Sequence, residues 1–115
     1  MTDYKSLPAW KQAMSVAHTI YAVVDEAGLK TTESGQRIRK AAVSVPSLIA
    51  EAFLDLSGRD REDVLFQAES KLSEVARLLS DESLQTALPA DRDGLIREIA
   101  ALEESIRGIK AAHAH

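Results

Sequence analysis

Ser44, Glu51 and Glu74 are the residues of this chain whose types and spacing could do chemistry. Ser44 and Glu51 are seven residues apart, so on a helix they fall close to one line. Glu74 lies on the next apolar segment. If Glu51 met Glu74 at half-buried depth, the two carboxylates would share a proton and could serve as a general acid and base. The competing expectation is structural. A buried charge is normally compensated, so each carboxylate should pair with a cation such as Arg37, Arg39, Lys71 or Arg77, within the chain or across subunits. Three cations near the same stretch, Arg37, Arg39 and Lys40, are the candidates for contacting a phosphate backbone; Arg37 and Lys40 share a helical face. Against them stand Asp55, Asp60, Glu62 and Asp63, and the whole chain carries a net charge of -4. That balance favours a solvated helix face over a nucleic-acid surface.

Metal chemistry has little to work with. His18 stands alone, in a setting that suits an edge histidine, and His113 and His115 lie in a terminal "AAHAH" expected to fray. There is no H-E-x-x-H, and no E-x-x-H pair of the kind that di-iron helix bundles use. A Gly-rich phosphate loop, a nucleophile elbow and a Ser-His-Asp set are also missing. The expectation is therefore no catalytic, cofactor-binding or metal-ligating residues, no cofactor, and a protein that is not an enzyme.

The elements that must position these side chains are helices. With 115 residues, 45% of them hydrophobic and only 4% aromatic, the chain can fill one core, mainly with Leu, Ile, Val and Ala. Cysteine is absent, so disulfide and thiolate sites are excluded, which suits a reducing cytosol. No signal-like start and no run of about 20 apolar residues is present, so a cytoplasmic protein with no membrane partner is expected.

Apolar residues recur in steps of four and three throughout. A first helix, 7–27, is predicted with Ser6 as N-cap, Pro8 in its first turn and Gly28 just past its end. Its main stripe reads Trp10, Met14, Ala17, Tyr21 and Val24. Trp10 is expected to anchor the core with its indole N–H reaching a polar partner at the edge. A second, adjoining stripe of Ala13, Val16, Ile20 and Val23 is broader than one seam needs. A second helix, 33–56, follows Thr31 or Thr32 as cap and buries Ile38, Ala42, Val45, Ile49, Ala52 and Leu56. Pro46 in its middle is expected to kink it. Ser57 and Asp60 suggest a capping box at a turn eased by Gly58. A third helix, 59–80, carries Val64, Ala68, Leu72, Val75 and Leu79. After a connection around Pro89, a fourth, 90–112, carries Leu95, Ile99, Leu102, Ile106 and Ile109. The prediction is a single all-α domain, 1–115, an up-down-up-down antiparallel four-helix bundle. The surplus stripe Ala13, Val16, Ile20 and Val23, with Leu48 and Phe53, is expected to build the interface of a cyclic homo-oligomer.

Several stretches resemble one family. "RKAAVSVPSLIAEA" is similar to the A-A-V-S-I-P-x-N-I-A-E-G signature of the bacterial four-helix bundle proteins encoded in 23S rRNA intervening sequences. "SLPAWKQAMSVAHTIY" resembles their L-x-x-W-x-x-A opening with a later I-Y, and "AESKLSEV" their A-x-G-S-L-x-E-L. Ser44, Glu51 and Glu74 match the pattern, as does Ser57 at its cap position. The family's Asn falls on Leu48, its Gly after the Glu on Ala52, its Gln on Arg37, and its Gly-Ser pair on Ser70 and Lys71. Part of the family's polar network is therefore missing. The resemblance implies a four-helix protomer in a ring-like homopentamer. A related branch, the accessory variability determinant of diversity-generating retroelements, works with a reverse transcriptase and RNA; it gives the alternative of a nucleic-acid role through Arg37, Arg39 and Lys40.

Overall fold

A computed structural model describes residues 4–54, 61–80 and 92–112. A short 3-10 turn, Tyr4–Ser6, leads into four helices: α1 (Pro8–Glu26), α2 (Glu33–Leu54), α3 (Arg61–Leu79) and α4 (Arg92–Ala112). There is no strand among the described residues, and no helix there is long and apolar enough to cross a membrane. The turn with Ser57, Gly58 and Asp60, the connection around Pro89, and His113 and His115 lie outside the described residues.

The N-cap of α1 differs from expectation. It is Leu7, not Ser6, and no side chain caps the helix. The reason is the preceding turn: Leu7 N–H is satisfied by the Tyr4 carbonyl at 3.1 Å, and the Leu7 side chain packs on the core. Burial of an apolar group there outweighs the gain from a hydroxyl cap. Pro8 occupies the first turn, where its missing donor has no intrahelical role.

The α1–α2 turn follows local chemistry closely. Gly28 takes φ of 71°, its N–H donates to the Asp25 carbonyl at 3.1 Å, and Leu29 N–H donates to the Val24 carbonyl at 3.0 Å. That pair of bonds is a Schellman termination, closed by the half-buried Leu29. Thr32 then caps α2. Its Oγ1 accepts from Gly35 N–H at 3.0 Å and donates to the Leu29 carbonyl at 2.7 Å, so it serves both sides of the turn. Thr32→Ala should therefore cost about 1–2 kcal/mol of unfolding free energy; denaturant titration followed by far-UV circular dichroism checks it.

Packing runs round the four helices: α1 on α2, α2 on α3, α3 on α4, and α4 back on α1. The core between them is almost entirely aliphatic, with Ile20, Ile38, Ile49, Leu65, Leu72, Leu102 and Ile106 among the most deeply buried side chains. No polar or charged residue is buried among the described residues. At the α2–α3 junction, Arg61 Nε donates to the Ala52 carbonyl at 2.8 Å, and its guanidinium lies 4.5 Å from the Phe53 ring centroid. Arg61 thereby reaches a carbonyl in the last turn of α2, where side-chain donors are most useful to a helix.

One expected surface is spent on this core. Ala13, Val16 and Ile20 are buried by the chain itself, while Val23, Leu48 and Phe53 are half-buried and pack against the core. They do not form a free apolar face. The inward side of α1 is Ala9, Ala13, Val16, Ala17, Ile20 and Val24, so Met14 and Tyr21, assigned above to the main stripe, lie outside at 45% and 40% exposure. The two stripes adjoin, and the small residues at 9, 13 and 17 let a neighbouring helix approach closely. The bulkier Met14 and Tyr21 are left at the rim.

Candidate interaction surface and polar sites

The predicted polar network is built from residues on facing helices, but each group has work of its own. Ser44 Oγ donates to the Lys40 carbonyl at 2.8 Å, within α2 and just ahead of Pro46. Ser47 does the same to the Val43 carbonyl at 3.3 Å. Such back-bonding supplies hydrogen bonds around a proline that lacks its own donor. Glu74 pairs with Lys71 on the same helix at 3.7 Å, one of the cations expected for it. Glu51 is half-buried and has a polar contact of its own. Neither of the two clefts described below is lined by Glu51 or Glu74.

The basic trio is divided. Arg37 and Lys40 point to solvent, whereas Arg39 turns toward α1 and lays its guanidinium over the Tyr21 ring, 4.2 Å from the centroid. On a helix Arg39 points about 200° from Arg37 and about 100° from Lys40, so it does not share the face those two have in common. Its Nε is buried and finds no acceptor among the described residues.

Around that stack opens a cleft of about 290 Å³, lined by His18, Tyr21, Ala22, Asp25, Lys30 and Arg39. It lies where the end of α1 meets the start of α2. Sequence reasoning missed it, although the short α1–α2 turn was a usable signal: it brings the last turns of one helix beside the first turns of the next. A second cleft, about 190 Å³, is lined by Gln12, Ser15, Glu98 and Ala101 between α1 and α4. Beside it, Ser105 Oγ donates to Gln12 Oε1 at 2.6 Å and ties the two helices.

On the other side, Lys110 of α4 bonds Glu69 of α3 at 2.6 Å and stands 5.5 Å from the centroid of the Phe66 ring. Phe66 is nevertheless 62% exposed, the most exposed large apolar side chain described. Met14, Val43, Leu54 and Ile96 are the other exposed aliphatic side chains of large size. Among the described residues no group of three or more His, Asp or Glu is arranged to hold a metal.

No curated protein matches this chain at a significant level. The family model described as 23S rRNA-intervening sequence protein matches residues 5–104, nearly the whole sequence and all the motifs noted above. The chain belongs to the 23S rRNA-intervening sequence protein family.

Proposed function

We propose that this chain is a non-enzymatic interaction protein that assembles with its own copies into a closed ring, a homopentamer in keeping with the family resemblance. One observation carries the reading: Met14 on α1 and Val43 on α2 stay 45% and 42% exposed, on two helices that pack against each other. Val43 lies one turn beyond Arg39, which reaches Tyr21 of α1, so both helices of this pair carry large apolar side chains outward. Large apolar side chains left exposed on a packed helix pair suit a partner. A ring needs a second, different patch to receive the first, and Leu54 and Phe66 are its apolar candidates.

The same reading takes the protomer as an up-down-up-down bundle with α2 bent at Pro46. Contacts between helix ends support the antiparallel order: Tyr21 near the end of α1 meets Arg39 near the start of α2, and Gln12 near the start of α1 meets Ser105 in the second half of α4. The separate engagement of Ser44 and Glu74 supports a role other than catalysis. A nucleic-acid role ranks second, because only Arg37 and Lys40 keep a common outward face, and backbone affinity is built from several cations acting together.

Sedimentation equilibrium at micromolar concentration tests the assembly. The unmodified protein should sediment as one closed multimer, and Met14→Glu with Val43→Glu should shift it to the protomer while leaving its helical circular dichroism unchanged. An unmodified protein that sediments at protomer mass defeats the reading.

A further inference from the structure

We propose that the cleft between the end of α1 and the start of α2 binds a small oxyanion, a carboxylate or a phosphate, held by Arg39 and Lys30. His18, Asp25, Lys30 and Arg39 converge on this one cavity of about 290 Å³. Elsewhere, half-buried charges are engaged: Lys110 with Glu69, Glu74 with Lys71, and Arg61 with the Ala52 carbonyl. In the cleft, none of these four side chains makes a hydrogen bond or ion pair among the described residues. There the Arg39 guanidinium rests on the face of Tyr21 instead.

That contact prepares Arg39 for an anion. Stacking holds the guanidinium plane, so its planar set of donors loses little further freedom when it meets a carboxylate or phosphate. Burial of Nε keeps part of the charge from water without giving it an acceptor, so a cation is left short of partners beside an open cavity. Lys30 supplies a second positive charge from the loop that the Schellman termination at Gly28 holds in place. Asp25 opposes it with one negative charge. Two cations against one carboxylate leave the cleft net positive in a chain whose total charge is -4. The volume lies near the lower end of small-molecule sites, roughly 300 Å³, and suits a small anion.

The cleft is formed within one copy of the chain, so binding is measured on the unmodified protein and on the Met14→Glu, Val43→Glu protomer, which separates it from ring assembly. Isothermal titration at fixed pH and ionic strength, with inorganic phosphate in one arm and succinate in the other, should show saturable binding of at least one; the arm that saturates distinguishes phosphate from carboxylate. Arg39→Gln should weaken binding about tenfold or more, the loss of a charge-assisted hydrogen bond. Lys30→Gln should weaken it in the same direction. Asp25→Asn should tighten it, and Lys40→Gln, an exposed cation outside the cleft, should leave it unchanged. Should Arg39→Gln fail to fold, Lys30→Gln decides, because Lys30 is an exposed loop residue. Absence of saturation in both arms, equal weakening by Lys40→Gln, or affinity indifferent to Lys30→Gln overturns the proposal.

Discussion

Gly35→Ala is expected to destabilise the protein by about 3 kcal/mol or more, from an overpacked contact compounded by a lost helix cap. Gly35 is buried in the first turn of α2. A Cβ placed there would collide with the Leu29 carbonyl oxygen and lie 2.9 Å from both the Leu29 carbonyl carbon and Thr32 Oγ1. None of these atoms is free to move aside. The Leu29 carbonyl accepts from Thr32 N–H at 3.0 Å as well as from its hydroxyl, and that hydroxyl oxygen caps Gly35 N–H. One methyl group would thus open the turn joining α1 to α2. Gly108 is the control, since it sits in α4 where an added Cβ would meet nothing within 4 Å. Gly108→Ala should stabilise by up to about 1 kcal/mol through helix propensity alone. Urea unfolding at one fixed protein concentration measures both. A Gly35→Ala protein as stable as the original would show that the turn is not packed in this way.

This turn also shows what sequence could disclose. Gly28, and a threonine cap at 31 or 32, were legible because their work is local: a left-handed residue and a side-chain cap depend on backbone atoms within a few positions. Four helices were legible because the four-and-three spacing persists through each of them. Ser6 misled, since the fate of α1's first turn depends on where Leu7 finds apolar neighbours. The two stripes of α1 misled for a related reason. Met14 and Tyr21 have the spacing of core residues, but which of two adjoining stripes faces inward is decided by the shape of α2 and α4 packed against it. The Arg39–Tyr21 stack needed contact between two helices to become visible. Charge type alone placed Arg39 with Arg37 and Lys40, whereas the helical turn separates them.

Ile20→Ala tests that reassignment most directly. Ile20 is 1% exposed, at the centre of the inward side of α1, and belongs to the stripe that spacing alone would offer to a second copy. In the core its truncation removes buried aliphatic atoms and leaves a void that close-packed neighbours fill only in part, a loss of about 2–5 kcal/mol. For a domain whose total stability is on the order of 5–15 kcal/mol, that is a large fraction. Met14→Ala, on the exposed neighbouring line, should change unfolding free energy by no more than about 0.5 kcal/mol. The two roles separate in a paired experiment, with urea unfolding reporting the protomer and sedimentation reporting association. If Ile20 served a subunit interface, Ile20→Ala would release protomers of undiminished stability. A core residue gives the opposite pattern, with early unfolding at every protein concentration, while Met14→Ala loosens assembly before it touches the fold.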